Sequence, residues 1–215
     1  MNEKYFTLAS KQKKDVFIHA IPGHFIAAGN HLNYYIGTSD IKHNYKVSKE
    51  AAKLLSEYYI LNGTEVETVF CLYETETLGG FIANELCSSR MMNKKAHENV
   101  YVISPEIDTT GNMFFRDNLR KMIDGRKALI VISCITSGKT VEQAMECIAY
   151  YGGKTVGVAA AFSAIGEIGG VPVRSIFGLD DVPDYKAVPH AECEMCKAGK
   201  PIEAVSNGHG FSKLF

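Results

Sequence analysis

One segment of the chain predicts a buried strand that leads through a short polar loop into a helix. The five residues 128–132 are all apolar, and the loop 133–140, SCITSGKT, is rich in small and hydroxyl-bearing residues. Apolar residues at helical spacing follow, at Val141, Ala144, Met145, Ile148 and Ala149. The free backbone N–H groups of a first helical turn and the helix dipole form an anion site. Because the hydroxyls of Thr136, Ser137 and Thr140 add donors, we expect a phosphate monoester as the ligand.

Two other interpretations of this loop need weighing. Gly138-Lys139-Thr140 matches the end of a nucleoside-triphosphate P-loop, but that motif needs a glycine where Ser133 stands, so we reject it. The loop would also be an ordinary strand–helix connection if its threonine and serine side chains only cap the helix. Helix caps are commoner than ligand sites, so the sequence leaves the anion site and the plain cap open.

Composition and charge exclude several classes of function. The chain has 215 residues, 46% hydrophobic and 22% charged, with a net charge of −1, as in an ordinary globular protein with a substantial core. No basic field therefore favours nucleic acid or an anionic membrane, and no apolar run approaches the length of a membrane span. Residues 1–15 lack the apolar core of a secretory signal, and the six cysteines are scattered. We expect a cytoplasmic protein with reduced thiols.

Helices and strands are expected to alternate along the chain. The first half of the pattern predicts a helix over 3–18, loops and short strands over 20–47, a helix over 48–61, a strand over 68–73, a loop through Gly79 and Gly80, a helix to about Met91 and a strand over 100–104. The second half predicts a polar connection over 105–118, the strand and helix of the opening segment, a helix stop at Gly152-Gly153, and strands over 155–162 and 172–177. Such a long connection is often a functional lid.

This alternation indicates a parallel sheet that is covered by helices on both faces. Ligands of such sheets bind at the carboxyl ends of the strands. The loops 73–80, 104–118 and 133–140 each follow a predicted strand, so they should share one rim.

Four motifs follow one another along the chain. They are Gly23-His24-Phe25 with Gly29-Asn30-His31 and Tyr34-Tyr35, the loop Glu74–Gly80, the loop Thr136–Thr140, and the tail Cys193–Pro201, CEMCKAGKP. Their order and spacing resemble the type I phosphoribosyltransferases, and more closely the orotate phosphoribosyltransferases, over nearly the whole chain. The resemblance implies an α/β fold with a Rossmann-like parallel-sheet core at 46–185, an N-terminal helix and hood at 1–45, and a tail at 186–215 that packs with the hood.

The resemblance also implies a ligand and roles for individual residues. The ligand would be a small phosphorylated ribose, phosphoribosyl pyrophosphate (PRPP), used with Mg²⁺ by a homodimer that binds neither nucleic acid nor membrane. Residues of the 5′-phosphate site would be Thr136, Ser137, Gly138, Lys139 and Thr140, and those of the pyrophosphate loop would be Glu74, Thr75, Glu76, Thr77 and Gly79. The base pocket would contain Phe25, Gly29, His31 and Ser163.

Several charged residues of the family pattern are replaced in this chain. Ser133 and Cys134 stand where the family carries two adjacent carboxylates that bind the ribose hydroxyls. Two neutral groups there sacrifice about 2–4 kcal/mol of ribose binding, by the usual range for hydrogen bonds to charged groups. Ser104-Pro105 replaces an Arg-Lys pair that meets the pyrophosphate, and Ser163-Ala164 replaces an Asp-Arg pair whose arginine grips the orotate carboxylate.

The predicted lid, residues 105–118, also lacks cations of the family pattern. The family's catalytic lysine and histidine are absent from residues 106–115, which carry Glu106 and Asp108, with Arg116 at the exit. Two acids next to a pyrophosphate would repel it. Lys139 adds one cation to the phosphate loop, Thr136–Thr140. Either its side chain reaches the phosphate, or it is a solvated residue of the helix.

These departures leave three functional hypotheses. The first is a transferase that moves phosphoribose from PRPP to a nucleobase other than orotate, with release of pyrophosphate. The second is a non-catalytic regulatory protein that binds PRPP or a nucleotide. A purely structural relic without a ligand is the third.

The tail and one cysteine carry further candidate chemistry. His190, Cys193 and Cys196 form an H-x2-C-x2-C cluster, with His209 as a fourth candidate zinc ligand. Zinc signatures usually have two paired clusters, and the resemblance already accounts for the C-x-x-C pair, so the sequence disfavours zinc. Cys134 would be a reactive thiolate if it stood at a helix N-terminus. A small buried residue at the strand end is the simpler interpretation.

Two residue pairs have both a functional and an ordinary interpretation. His24 and His31 either line a base pocket or lie on the surface. Glu74 and Glu76 either hold Mg²⁺ or belong to a solvated loop.

Overall fold

The computed structural model describes residues 5–88 and 99–214. The strands are β1 (Phe6–Ala9), β2 (Phe17–Ala27), β3 (Asn30–Gly37), β4 (Thr68–Cys71), β5 (Tyr101–Ile103), β6 (Glu106–Ile107), β7 (Met113–Phe114), β8 (Lys127–Ile135), β9 (Lys154–Ser163), β10 (Glu167–Ile168), β11 (Val171–Phe177), β12 (Ala187–Pro189), β13 (Ala204–Ser206) and β14 (Phe211–Lys213). The helices are α1 (Ser39–His43), α2 (Tyr45–Leu61), α3 (Glu76–Ser88), α4 (Asp117–Arg120), α5 (Lys139–Tyr150) and α6 (Glu194–Lys197). In this described part of the chain, no helix has the length and apolar character that crossing a membrane requires.

A core sheet of six strands has the order β10-β11-β9-β8-β4-β5. Every neighbouring pair from β11 to β5 is parallel, and the two-residue β10 is antiparallel to β11. Alternate residues of its strands face opposite sides: Val69 and Cys71 pack in the cluster that contains the buried faces of α2 and α3, whereas Phe70 and Leu72 pack in the cluster that contains α5. The predicted parallel sheet with both faces covered is confirmed.

A second sheet, which we call the hood sheet, joins the two ends of the chain. Its order is β12-β3-β2-β13-β14, and β1 also pairs with β2. β2 and β3 form an antiparallel hairpin, and β13 from the tail lies parallel to β2. Ile18 and Ala20 of this hairpin share a hydrophobic cluster with Val69 and Leu129 of the core sheet. The two sheets therefore pack on one core.

The predicted N-terminal helix over 3–18 is wrong. Within the described residues, β1 and the start of β2 occupy this stretch, as two antiparallel strands. Val16, Ile18 and Ala20 are buried while their neighbours are more exposed, which is the two-residue period of a strand. The mixed charges that suggested a helix lie mostly in the turn between the strands.

The predicted loop through Gly79 and Gly80 is also wrong, because α3 begins at Glu76. A Cβ atom at position 79 would collide with the Cys71 Sγ atom and would lie 3.1 Å from Val69 Cγ1. Glycine therefore lets this helix lie close against β4, and it does not mark a break. The predicted helix end near Met91 lies outside the described residues.

Residues 20–47, predicted as loops and short strands, instead contain most of the 11-residue β2, the 8-residue β3 and α1. The remaining predicted helices and strands are present with shifted ends. α2 begins at Tyr45, since the Asn44 side chain accepts hydrogen bonds from the first-turn amides. β8 runs on to Ile135, so Ser133 and Cys134 belong to the strand. The long connection contains the β6–β7 hairpin, which we call the lid hairpin.

Candidate functional site

A pocket of about 270 Å³ lies between the core sheet and the hood sheet. The core wall consists of Ser133 and Cys134 at the end of β8 and Thr136 and Thr140 just beyond it. The hood wall consists mainly of the β2–β3 hairpin and tail residues 206–208. All lining residues described for this pocket are uncharged.

The predicted phosphate loop, 136–140, leads into α5 without a side-chain cap. Gly138 is the N-cap of α5 with a φ of 83°, and no side-chain hydrogen bond caps the helix there. A Cβ atom at this position would lie 2.9 Å from Ile165 Cδ1, so both the backbone angle and the space favour glycine. Because the cap residue has no side chain, the interpretation of the loop as a plain hydroxyl cap loses its support. Ser137 and Lys139 are exposed and do not line the pocket.

The two positions of the family's carboxylate pair are neutral. Ser133 is 2% exposed, and burial raises the pKa of the Cys134 thiol to about 12. The hypothesis of a reactive Cys134 thiolate is therefore wrong: the residue lies inside β8, away from a helix N-terminus, and its surroundings disfavour the charge. Ser133 and Cys134 both line the pocket.

The loop after β4 is strained and tied down by ion pairs. Tyr73 and Glu74 have φ values of 52° and 64°, a left-handed conformation that is uncommon for residues other than glycine. Glu74 accepts hydrogen bonds from Lys42 Nζ at 3.0 Å and His209 Nδ1 at 3.1 Å. Hydrogen bonds from Lys42 and His209 lower the pKa of Glu74 to about 2. Lys42 is 3% exposed and also donates to the Gly208 carbonyl at 3.1 Å.

The other predicted pyrophosphate residues differ in their surroundings. Thr75 is fully buried, and its hydroxyl bonds backbone groups of Leu72 and Val131, so its role is to hold the turn. Glu76 and Thr77 are exposed in the first turn of α3, where Glu76 accepts a hydrogen bond of 2.6 Å from Ser104 Oγ. Gly79 lies deeper in the helix. A second pocket, of about 300 Å³, lies between this loop and the start of the lid hairpin.

The lid acids are engaged within their own hairpin. Arg116 donates two hydrogen bonds of 2.6 Å to the Glu106 carboxylate. Asp108 accepts hydrogen bonds from Thr110 and Asn112, which lower its pKa to about 2. Glu106 is neutralised by Arg116, so the net charge that this pair presents to a pyrophosphate is close to zero.

None of the four residues predicted for the base pocket lines the pocket described above. Phe25 packs in the hood with Tyr35 and Phe211. Gly29 lies in the hairpin turn, and the Ser163 hydroxyl accepts from the Ile165 amide and donates to its carbonyl. His31 is buried against His24 on the side of the hood that holds the tail cysteines.

Only one of the two histidines that the sequence suggested contacts a tail cysteine. His209 bonds Glu74, and exposed His190 contacts Cys196 through a 3.5 Å approach of its Nδ1 atom to Sγ. Cys193 and Cys196 lie instead next to His24 and His31 of the β2–β3 hairpin.

Two residues of the site were missed from the sequence. Tyr185 lines the pocket, and its buried hydroxyl has no hydrogen-bond partner among the described residues. Lys42 places a buried cation against the strained loop after β4. Neither lies in a recognisable motif, because both reach the site from segments distant in sequence.

Comparison with known proteins agrees with this architecture. The orotate phosphoribosyltransferase of Wolinella succinogenes is 30% identical over 209 residues, covering 88% of this chain and 92% of that protein. The chain belongs to the orotate phosphoribosyltransferase family. Within this family, the enzyme of Sulfurimonas denitrificans is 26% identical over 201 residues, covering 87% of this chain and 92% of that protein. No protein-family model matches the chain.

Solved structures of phosphoribosyltransferase-type proteins share the fold. The UMP synthase of Leishmania donovani superimposes with a TM-score of 0.52 at 15% identity, over 75% of this chain and 34% of that protein. The adenine phosphoribosyltransferase of Trypanosoma brucei gives 0.50 at 12% identity, over 75% of this chain and 78% of that one. At such identities these neighbours support only the fold, which is that of the type I phosphoribosyltransferases. The chemistry of this chain has to be argued from its own residues.

Proposed function

We propose that this protein transfers phosphoribose from PRPP to an uncharged nucleobase other than orotate, releasing pyrophosphate. The single observation that carries the proposal is the pocket in which the phosphate loop, the ribose-facing end of β8 and an uncharged hood wall meet. Membership of a family of transferases supports the reaction class. The absence of charge in the lining supports the choice of base.

The 5′-phosphate is assigned to the loop before α5. Gly138 places no side chain over the N-terminus of α5, and Thr136 and Thr140 line the adjoining pocket wall. A phosphate at a helix N-terminus is stabilised by these donors and by the helix dipole. This site fixes one end of the ligand, so that the ribose lies along Ser133 and Cys134.

The base is assigned to the hood side of the pocket. Orotate carries a carboxylate, and burying a carboxylate without a cation is costly. The described lining offers instead the aromatic rings of Tyr34, Tyr35 and Tyr185, together with polar groups of residues 206–208. Rings and neutral hydrogen-bonding groups favour a neutral base.

In the reaction, the C1′–oxygen bond to pyrophosphate breaks while a ring nitrogen of the base bonds to C1′, and the proton of that nitrogen passes to the released pyrophosphate or to solvent. The sugar becomes cation-like and the leaving pyrophosphate gathers negative charge, so stabilisation is needed at both places. Lys42 is the buried cation nearest the loop assigned to pyrophosphate, and it holds Glu74 in place. The neutral Ser133 and Cys134 give the sugar weaker support than two carboxylates would.

Mg²⁺ would accompany the pyrophosphate. The ion prefers oxygen ligands and keeps several waters, so one or two carboxylates suffice. Glu76 fits this need, because it is exposed at the pocket by the strained loop and its only hydrogen bond described there is from Ser104. Glu74 fits it less well, since Lys42 and His209 already occupy both its oxygens. When bound, the ion would screen the charge of the leaving group.

A non-catalytic binder is the second candidate, and one observation favours it. With Ser133 and a neutral Cys134, no carboxylate of the described core wall faces the ribose. A protein that only senses PRPP or a nucleotide has no need of that charge.

Calorimetric titration with PRPP, with and without Mg²⁺, tests the proposal. Ribose 5-phosphate and UMP serve as comparison ligands, and a panel of uncharged bases and orotate is then assayed for pyrophosphate release. We expect Mg²⁺-dependent binding of PRPP and turnover with an uncharged base. Binding of PRPP or UMP without turnover on any base would favour the sensor, and no binding of any ligand would contradict both.

Restoring the acidic pair separates a weak enzyme from a binder. The double variant Ser133→Glu/Cys134→Asp should raise turnover about tenfold or more, the value of one hydrogen bond to a charged group. The uncharged pair Ser133→Gln/Cys134→Asn is the matched control for size. Equal behaviour of the two double variants would argue against a latent transferase.

A further inference from the structure

Four side chains of metal-binding type, from distant parts of the sequence, meet beside the β2–β3 hairpin of the hood sheet. They are His24, His31, Cys193 and Cys196, whose ligand atoms all lie within 4.8 Å of one another. The first three are at most 5% exposed, and Cys196 is half-buried. We infer that these four residues form a structural zinc site that fastens the tail to the hood.

The distances fit tetrahedral zinc. Bond lengths of about 2.3 Å to sulfur and about 2.05 Å to nitrogen imply a nitrogen–sulfur edge of about 3.5 Å in a tetrahedron. His24 Nε2 lies 3.5 Å from Cys193 Sγ and 3.7 Å from Cys196 Sγ, and His31 Nδ1 lies 3.4 Å from Cys196 Sγ. The two nitrogens are 2.8 Å apart, closer than the expected edge of about 3.3 Å. Zinc binding would therefore require these two nitrogens to move apart by about 0.5 Å.

The surroundings of His24 prepare it as a ligand. Its Nδ1 atom lies 2.9 Å from the Lys200 carbonyl and 3.2 Å from that of Pro201. A carbonyl can only accept, so Nδ1 carries the proton and Nε2 presents its lone pair to the cluster. A backbone partner on the second nitrogen is the usual support of a metal-bound histidine.

The backbone of β2 is irregular where it presents this histidine. The register of the hairpin shifts between Pro22 and Phe25, so Gly23 and His24 form a bulge. A Cβ atom at position 23 would lie 2.7 Å from the Phe25 ring, which favours glycine there. Bulges re-aim side chains, and this one directs His24 to the tail. The Glu203 amide, which donates to the His24 carbonyl at 2.8 Å, holds the tail against it.

Zinc is the metal that this donor set favours. Two thiolates and two imidazoles in a closed, buried group are typical of structural Zn²⁺ sites. Each cysteine gives up its proton to the solvent when the ion binds. His190, whose Nδ1 atom is 3.5 Å from Cys196 Sγ, lies outside the four-ligand group and would only donate a hydrogen bond to that sulfur. The ligands thus differ from the H-x2-C-x2-C set that the sequence offered.

Such a site would affect the hood and not the chemistry of transfer. It joins the turn around α6 to the β2–β3 hairpin, whose tip, Ala27 and Ala28, lines the ligand pocket. The inference is independent of the proposed transferase reaction, because a protein that only senses nucleotides would need the same pocket wall.

Metal content tests the assignment directly. Protein purified without chelator and in reducing buffer should contain one equivalent of zinc per chain by mass spectrometry. Cys196→Ser and His31→Gln should lose it, while Cys87→Ser and His190→Ala should keep it. Zinc retained in the first two variants, or lost equally in His190→Ala, would overturn the ligand set.

Cobalt replacement covers the case in which the ligand variants do not fold. The wild-type protein, stripped of metal and loaded with Co²⁺, should show the intense visible bands of a tetrahedral ion and thiolate charge transfer. Its melting temperature should fall on chelation and recover with Zn²⁺. A reduced wild-type protein that takes up neither ion, or a Cys193–Cys196 disulfide that forms in place of metal uptake, would overturn the proposal.

Discussion

At the scale of single residues, the Tyr185 hydroxyl is the clearest sign of a ligand. It is buried, lines the pocket and has no partner among the described residues. An unsatisfied buried polar group costs about 1–3 kcal/mol. Such a cost is understandable if a bound ligand supplies the missing partner.

We therefore expect Tyr185→Phe to weaken ligand binding without weakening the fold. Nucleotide or PRPP affinity should fall about tenfold by calorimetry, since a hydrogen bond is lost. The free energy of unfolding of the ligand-free protein should stay the same or rise by about 1 kcal/mol. Tyr151→Phe is the control, because the Tyr151 hydroxyl bonds the Phe115 backbone. It should lower stability and leave affinity unchanged, and the reverse pattern would contradict the role given to Tyr185.

Gly138 is the residue on which the phosphate site depends. Its φ of 83° opposes any side chain, and so does Ile165, whose Cδ1 atom would lie 2.9 Å from a Cβ atom at this position. Gly138→Val should abolish measurable binding of ribose 5-phosphate. The backbone strain, about 1–2 kcal/mol, should appear in the free energy of unfolding.

Gly170→Val separates strain from function. Gly170 has a φ of 78° with no atom within 4 Å of its Cβ direction, so the variant should lose similar stability and keep ribose 5-phosphate binding. Equal loss of binding in both variants would mean that the effect is a general one on folding.

At the scale of elements, the lid hairpin holds its own cation. Arg116 is the cation at the lid exit, and Glu106 engages it through two hydrogen bonds. Glu106→Gln should free Arg116 for pyrophosphate and strengthen PRPP binding by up to about fivefold at low salt, the range of an exposed ion pair. Glu65→Gln makes the same charge change at the amino end of β8, through the pair with Lys127. Equal gains in both variants would indicate only a change in net charge.

Glu74, in the loop after β4, bonds Lys42 of α1 and His209 of the tail, so its ionisation should affect stability. Its pKa is about 2 in the folded protein against an ordinary value of 4.5. The stabilisation is therefore complete above about pH 4.5 and is lost as the pH falls toward 2. Glu74→Gln should melt at a lower temperature than wild type at pH 7, also because it leaves Lys42 buried without its anion. The difference should shrink between pH 4.5 and 2.

At the scale of the whole molecule, local patterns predicted the core and missed the hood. The strands predicted over 68–73, 128–132 and 155–162 contain apolar runs, 69–73, 128–132 and 158–162, that need no distant information. The first strands, β1 and β2, have no such runs. Their burial comes from β3 and from the core.

In the candidate site too, some residues were predictable from the local sequence and others were not. The phosphate loop is one continuous segment, so its glycine and hydroxyls were predictable from their order. Tyr185 reaches the pocket, and Lys42 the loop after β4, only through the fold. The contact between His24 and Cys193 joins residues that are 169 positions apart, and no spacing rule pairs them. Thr136 and Thr140 of the predicted phosphate loop line the pocket, whereas none of the four predicted base-pocket residues does.

The position of the pocket between two sheets makes a prediction about the whole molecule. A nucleotide that reaches both walls should stabilise both sheets together. At one hundred times its dissociation constant, UMP should add about 2.7 kcal/mol to the free energy of unfolding. For a chain of this size that is an increase of roughly 5–10 °C in melting temperature.

Hydrogen exchange should show where that stabilisation lies. With UMP bound, amides of the phosphate loop, 136–141, of the hairpin tip, 27–32, and of the tail, 206–208, should all exchange more slowly, because each of these segments lines or adjoins the pocket. Ribose 5-phosphate has no base to contact the hood, so it should slow exchange only at 136–141. This comparison tests the two ends of the pocket independently. Protection by UMP confined to the phosphate loop would mean that the base lies outside the hood, and equal protection of the hood by ribose 5-phosphate would mean that the hood closes without it.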